Sequence, residues 1–143
     1  MSKTKPPVRL RKATQDDVNF IFNAWLKSFK VSNFARTITN TIYFAEHHKI
    51  IERLLKGNET IIACNNEDPT QIYGFINAGR VDGIFCLNYI YVKQSFRNLG
   101  IGKALLNAFE HDPSTASVYT HHTRIAERLA AKYNMVHHPY LLI

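Results

Sequence analysis

Residues 89–103 of this chain, YIYVKQSFRNLGIGK, decide its fold. The apolar run that ends at Val92 predicts a strand buried on both faces, and it leads into a turn that contains Gly100 and Gly102. A helix follows, because apolar residues recur at helical spacing at 101, 104, 105, 108 and 109. The first N–H groups of a helix have no partner within it, and glycines let a phosphate approach closely. The segment therefore predicts a site for a pyrophosphate.

The glycine spacing separates this turn from two other phosphate-binding motifs. A P-loop needs glycine at 97 and serine or threonine at 104, where this chain has Arg97 and Ala104. A dinucleotide-binding turn needs a third glycine at 105, where the chain has Leu105. The pattern that fits is Arg-x-x-Gly-x-Gly after a strand, with Arg97 and Lys103 adding positive charge at the same place.

The elements on either side of this segment predict the rest of the topology. Alternation and apolar runs predict strands at 8–11, 60–64, 71–78, 84–92, 116–120 and 140–143, and helical spacing predicts helices at 14–29, 40–56, 101–109 and 122–133. The order is β-α-α-β-β-β-α-β-α-β. Short gaps in the middle favour antiparallel hairpins, and the strand–helix–strand unit at the end favours a parallel pair. The sequence thus predicts an α/β (α+β mixed) fold with a mixed sheet and helices on both faces.

Composition limits the class of protein. With 143 residues, 45% of them apolar and 20% charged, the chain is expected to form one domain with a polar tail at 1–7. It contains no apolar run of the length that spans a bilayer, so no membrane association is expected. Cys64 and Cys86 fall in predicted strands, which favours buried free thiols and a cytoplasmic location. The net charge of +7 favours anionic partners.

The strand end Tyr91-Val92-Lys93, the turn at 97–102 and the helix after it resemble the GNAT acetyltransferase superfamily. The element order extends this resemblance over residues 8–143. It implies that 1–143 is a single acetyltransferase domain with acetyl-CoA as co-substrate, and that an amine attacks the thioester directly, in a gap between the central strand and the strand at 116–120. The resemblance implies two groups of cofactor-binding residues. The strand edge that binds the pantetheine arm consists of Ile90, Tyr91 and Val92. The turn that binds the pyrophosphate consists of Arg97, Asn98, Leu99, Gly100, Ile101, Gly102 and Lys103.

Two positions depart from the catalytic residues that are usual in this family. Ala130 stands where many members have a tyrosine that protonates the leaving thiolate, and Tyr133, one turn further along, is the candidate substitute. Asn88 stands where members often have a glutamate, and an amide cannot act as a base. His121 or His122 is the candidate to accept the amine proton, because a histidine titrates near neutral pH. The alternative for each of these side chains is plain packing, and no metal is expected.

The acceptor is predicted only as an amine, on a small molecule or a macromolecule. In this family the first helices usually shape its site, and here they offer Trp25, Lys27, Lys30, Arg36 and Tyr43. This basic wall argues against polyamines and favours an amine carried by an anionic molecule, such as an aminoacylated RNA, an amino acid or an amino-nucleotide.

Other functions and assemblies stay open. The substitutions at 88 and 130 also fit a non-catalytic acyl-CoA-binding or interaction protein on the same fold. Nucleic acid binding is possible but not favoured, because the basic residues are scattered along the chain. An apolar edge at 139–143 predicts a possible homodimer.

Overall fold

The computed structural model describes residues 7–32, 35–110, 112 and 114–139, and it places six strands and four helices there in the predicted order. The elements are β1 (Val8–Lys12), α1 (Val18–Lys30), α2 (Asn40–Gly57), β2 (Glu59–Asn65), β3 (Ile72–Val81), β4 (Ile84–Val92), α3 (Ile101–Asn107), β5 (Ser117–Tyr119), α4 (Arg124–Tyr133) and β6 (Met135–His137). No helix among the described residues is long and apolar enough to cross a membrane.

The end of the chain differs from the prediction. The strand predicted at 140–143 lies outside the described residues, while β6 forms earlier and directly after α4. The cause is Asn134, which ends α4 in the left-handed conformation with φ of 58° and turns the chain at once. Met135–His137 can then pair with β5. Three residues give too short a pattern for the sequence to predict a strand.

The strands form one mixed sheet in the order β1-β2-β3-β4-β5-β6. The first four strands are antiparallel neighbours, and β5 is parallel to both β4 and β6. A two-residue turn, Asp82-Gly83, joins β3 to β4 with φ of 51° and 81°. Positive φ at both positions is typical of the type I′ turn, which matches the twist of the strands that it connects. The predicted mixed sheet is confirmed.

Helices cover both faces of the sheet, which is also confirmed. On one face α1 and α2 pack on the sheet through a cluster that includes Trp25, Ile51 and Phe75. On the other face α3 and α4 pack through a second cluster that includes Ile76 and Leu105. Cys64 and Cys86 are both buried free thiols.

Strand β4 carries the feature that opens the sheet. Its pairing with β3 shifts by one residue, since Asn77 pairs with Tyr89 and Ala78 pairs with Leu87, so that Asn88 is the extra residue of a β-bulge. On its other edge β4 pairs with β5 only as far as Leu87. The residues after the bulge, Tyr89 to Val92, continue beside β3 but have no partner in β5. The sheet therefore separates between these two strands.

The close approach of β3 to the end of β4 yields a test of the fold. An added Cβ at Gly74 would overlap the carbonyl oxygen of Tyr91 and lie 3.0 Å from Cα of Val92. We expect Gly74→Ala to lower the free energy of unfolding by about 1–3 kcal/mol, because backbone atoms cannot yield as a flexible side chain can. Chemical denaturation measures the change. Gly57→Ala is the matched control, because nothing lies within 4 Å of its Cβ; equal denaturation midpoints for the two variants would contradict this account.

Candidate active site

A cleft of about 800 Å³ opens where β4 and β5 separate, and we call it the cleft throughout. Its walls come from α1, from the part of β4 after the bulge, and from the start of α4. The lining residues are Phe20, Asn23, Ala24, Lys27, Ser28, Val31, Ser32, Tyr89, Ile90, Tyr91, Gln94, Arg97, Thr123, Arg124 and Ile125.

Helix α1 faces the core with one side and the cleft with the other. Ile21, Trp25 and Phe29 are buried at helical spacing. The residues that line the cleft recur at the same spacing on the other side, at 20, 23, 24, 27, 28 and 31. The sequence pattern that predicts the core side of this helix therefore also fixes which residues reach the cleft.

Tyr89 and Ser28 form a hydroxyl pair that belongs to the lining of the cleft. The Tyr89 hydroxyl lies 2.5 Å from Oγ of Ser28, which in turn lies 2.5 Å from the carbonyl oxygen of Ala24. Since the carbonyl can only accept, the Ser28 hydroxyl donates to it and the Tyr89 hydroxyl donates to Ser28. The Tyr89 ring stacks on Trp25 with centroids 4.7 Å apart. Burial raises the pKa of Tyr89, so that it stays a neutral phenol.

The glycine turn lies directly after the strand end that lines the cleft. Asn98 and Gly100 have φ of 64° and 82°, which the short asparagine and the glycine tolerate. An added Cβ at Gly102 would meet only Cδ1 of Ile90, at 3.9 Å. Nothing in the protein's own packing therefore requires glycine at this position. The position belongs to the start of α3, where the first N–H groups of a helix have no partner within it and favour an anion.

The loop before the turn is anchored at two points. Phe96 stacks on Tyr73 with centroids 4.1 Å apart. Nε of Arg97 donates to the carbonyl oxygen of Val92 at 2.9 Å. Arg97 thus holds the strand end in addition to lining the cleft. The carbonyl oxygen of Val92 thus already accepts a hydrogen bond from the protein. A pantetheine arm that pairs with this strand edge would have to use the other backbone N–H and C=O groups of residues 90–92.

The predicted cofactor-binding residues lie at one end of β4, where Val92 and Ile101 are buried in the apolar core. Ile90, Tyr91 and Arg97 line the cleft, and the turn from Asn98 to Lys103 continues from it. Tyr133 is placed elsewhere, because it packs against the apolar cluster under α3 and α4 and does not line the cleft.

His121 lies inside the protein, with only 1% of its surface exposed. Its Nδ1 is 3.0 Å from Oγ1 of Thr120, and its Nε2 is 2.9 Å from Nε2 of His47. The ring is enclosed edge-on by aromatic rings at centroid distances between 4.7 and 5.4 Å, those of Trp25, Phe29, His47 and Tyr89. Both ring nitrogens are therefore used within the protein, and His121 does not reach the cleft. The other candidate, His122, has Nδ1 3.0 Å from the hydroxyl of Tyr119.

Asn88 is the centre of a buried polar network formed by Thr60, Asn77, Asn88, Thr120, His121 and His47. Its Nδ2 donates to Oδ1 of Asn77 at 2.9 Å, and its Oδ1 lies 3.3 Å from Oγ1 of Thr120. An amide suits this position because it donates on one side and accepts on the other, whereas an ionised carboxylate only accepts. The residue at the bulge is thus fixed by hydrogen bonds across the sheet.

The predicted acceptor wall is mostly not at the cleft. Trp25 is fully buried, and the buried Tyr43 donates its hydroxyl to the carbonyl oxygen of Leu26 at 2.6 Å. Nζ of Lys30 donates to the carbonyl oxygens of Ala35 and Arg36, at 3.0 and 3.2 Å. Of the five predicted residues, only Lys27 lines the cleft. Ser28, Tyr89 and Arg124 line it without having been predicted; α1 periodicity could have indicated Ser28.

Within the described ranges, no group of three or more His, Cys, Asp or Glu side chains is arranged to hold a metal ion.

The sequence from residue 56 to residue 134, more than half of the chain, matches the family model of the acetyltransferase (GNAT) domain. No curated protein sequence matches the chain at a significant level.

Many solved structures share the fold, among them the following three. An acetyltransferase of the GNAT family from Staphylococcus aureus is 23% identical with a TM-score of 0.51, over 71% of this chain and 62% of that one, so this chain spans less than two thirds of it. A histone acetyltransferase and related acetyltransferase from Corynebacterium glutamicum is 21% identical with a TM-score of 0.56, over 74% and 70%. PaiA N-acetyltransferase from Thermoplasma acidophilum, in complex with coenzyme A, is 18% identical with a TM-score of 0.51, over 72% and 69%.

The buried histidine pair predicts how stability depends on pH. Burial lowers the pKa of His47 from 6.5 to about 4, and burial also lowers the pKa of His121. The unfolded chain therefore binds protons below pH 6.5 that the folded chain does not bind. The free energy of unfolding should be highest above pH 6.5 and fall as the pH drops towards 4, by about 3 kcal/mol from His47 alone.

Urea denaturation of the wild type and of His47→Gln at several pH values measures this contribution. We expect a smaller loss of stability in His47→Gln. The control is His48→Gln, which changes a neighbouring histidine with 54% of its side chain exposed. If His47→Gln loses stability with falling pH as steeply as the wild type does, the pair is not the cause.

Proposed function

Because the chain belongs to the GNAT acetyltransferase family, we propose that it transfers an acetyl group from acetyl-CoA to an amine. The observation that carries this proposal is the juxtaposition of two features at one end of β4. The strand continues past its last pair with β5, which leaves an open edge, and the glycine turn follows at once, with a Gly102 that the protein's own packing does not require.

The residues present fit coenzyme A. We propose that the backbone N–H groups from Asn98 to Lys103 hold the pyrophosphate, because they lie at a left-handed turn and at the start of a helix where negative charge is favoured. Arg97 and Lys103 add positive charge there. The edge of β4 at Ile90 and Tyr91, which lines the cleft, is proposed to pair with the pantetheine arm. The Thermoplasma relative in complex with coenzyme A supports this choice of ligand.

Acetyl-CoA supplies a thioester: the amine nitrogen forms a bond to its carbonyl carbon, the C–S bond breaks, and the thiolate takes up the proton that the amine gives away. The chain's part is to position the amine and to exclude water. We propose that the hydroxyl groups of Tyr89 and Ser28 contact the amine, because they are buried polar groups in the wall of the cleft. His121 is proposed as a positioning residue that acts through Thr120 on the bulge.

A second candidate function is binding of acyl-CoA without transfer. It is favoured by one observation: neither His121 nor Tyr133 reaches the cleft, so the cleft holds no residue that was predicted to move a proton. This alternative predicts tight binding of coenzyme A and no release of free thiol with any amine. We also propose a reducing, cytoplasmic location, since both cysteines are free.

The substitution Gly102→Ala separates ligand binding from folding. The new Cβ would meet only Ile90 at 3.9 Å within the protein, so stability should be unchanged or slightly higher, because alanine favours a helix over glycine. The same Cβ would occupy space proposed for the pyrophosphate. We expect the affinity for acetyl-CoA to fall at least about tenfold, which corresponds to 1.4 kcal/mol.

Isothermal titration with acetyl-CoA and coenzyme A measures the affinity, and thermal unfolding measures the stability. Gly57→Ala is the control, because it adds a Cβ in open space far from the turn. Unchanged affinity in Gly102→Ala would place the pyrophosphate elsewhere. Absence of binding to the wild type at millimolar acetyl-CoA would refute the proposed function.

A further inference from the structure

The charges that line the cleft all have one sign. Lys27, Arg97 and Arg124 line it, and no acidic residue does. All 11 aspartate and glutamate residues of the sequence fall within the described ranges, so this inventory of acids is complete. From this asymmetry we infer that the acceptor is an amino-carboxylic acid, an amine whose own molecule carries a carboxylate. The inference rests on the proposed function and names the substrate class of the same site.

The acidic residues are used elsewhere. Asp17 forms an ion pair with Arg11 at 2.7 Å, and Glu46 and Glu52 pair with lysines along α2. Glu127 lies 3.8 Å from Nε2 of His122. The others belong to the segments before and between the elements, to the start of β2 or to the hairpin tip. Arg97 is assigned to the pyrophosphate, so a dicationic or polycationic amine would meet the other two cations of the cleft, Lys27 and Arg124, and no carboxylate of the protein.

We assign the substrate's carboxylate to Lys27. Arg97 is committed to the strand end through its Nε and stands beside the turn proposed for the pyrophosphate. Lys27 belongs to the opposite wall, on α1, next in sequence to Ser28, whose hydroxyl pairs with Tyr89. It is exposed, and within the described part of the chain no carboxylate lies within 4 Å of its Nζ.

The chemistry of the lining supports the same class. The amine must be neutral to attack, and the cleft contains neither a carboxylate nor a histidine that could remove its proton. Nearby positive charges favour the neutral form of an amine, because they disfavour the ammonium ion. The same charges attract a carboxylate on the same molecule. The remaining lining mixes polar and apolar residues, and its apolar members, which include Phe20, Val31 and Ile125, suit an apolar side chain on the substrate.

The test compares two amines that differ only by the carboxylate, L-phenylalanine and phenethylamine, with spermidine as the polycation. The rate of thiol release from acetyl-CoA gives kcat/KM for each. We expect L-phenylalanine to exceed phenethylamine by at least about tenfold and spermidine to be the poorest. Lys27→Gln should lower kcat/KM for L-phenylalanine about tenfold, mainly through KM, and leave phenethylamine unchanged. Lys27→Glu should reverse the order of L-phenylalanine and spermidine.

The control variant is Lys49→Gln, which changes an exposed lysine on α2 that pairs with Glu46, away from the cleft. It should behave as the wild type with all three amines. The inference is overturned if phenethylamine or spermidine reacts as well as L-phenylalanine, or if Lys27→Gln changes all three equally. If acetyl-CoA binds and none of the amines releases thiol, the second candidate function holds, and the inference is overturned together with the proposed acetyl transfer. Loss of acetyl-CoA binding itself would instead refute the proposed function.

Discussion

The hydrogen bond from Asn88 to Asn77, across two neighbouring strands, is the contact on which the rest of the site depends. It holds an extra residue in β4, and that residue sends the strand away from β5 after Leu87. The cleft, the open edge beside it and the direction in which the glycine turn leaves the sheet all follow from this local shift. Because Asn77 is itself tied to Thr60, the bulge is fixed to the middle of the sheet and not to its edge.

The part of the site that is proposed to bind acetyl-CoA could be predicted from sequence, because it depends on residues that are close together in the chain. A strand, two glycines and a helix follow each other within residues 89–103, and the backbone supplies the binding groups. Asn134 is a further local signal, because asparagine tolerates the left-handed conformation in which it ends α4, with φ of 58°. The antiparallel pairing of β2, β3 and β4 followed from the short connections between them, which leave few alternatives. The dipeptide Asp82-Gly83 is a further sequence signal for the hairpin between β3 and β4, because Asp-Gly is typical of a two-residue turn.

The part of the site that is proposed to bind the amine could not be predicted. It depends on which side of α1 faces the sheet and on contacts between residues that are distant in sequence. Lys30 and Lys27 are one turn apart on α1, yet Lys30 binds the following connection while Lys27 lines the cleft. His121 was expected to accept the proton of the amine, since it follows the strand at 116–120 that borders the gap. It turns inward because His47, 74 positions earlier, offers a partner in an aromatic enclosure. Nothing in the sequence near either histidine indicates that pairing.

The contact between His47 and His121 has a consequence for the direction of hydrogen bonding. The two Nε2 atoms face each other at 2.9 Å, so a neutral pair shares a single proton between the rings. If His47 donates, His121 accepts at Nε2 and donates from Nδ1 to Thr120, whose hydroxyl then points to the bulge carbonyl of Asn88. If His121 donates from Nε2, the Thr120 hydroxyl points to the ring, and that carbonyl loses a donor. A change of tautomer at His47, together with His121, would thus alter the hydrogen bonding of the Asn88 carbonyl at the bulge without displacing any heavy atom.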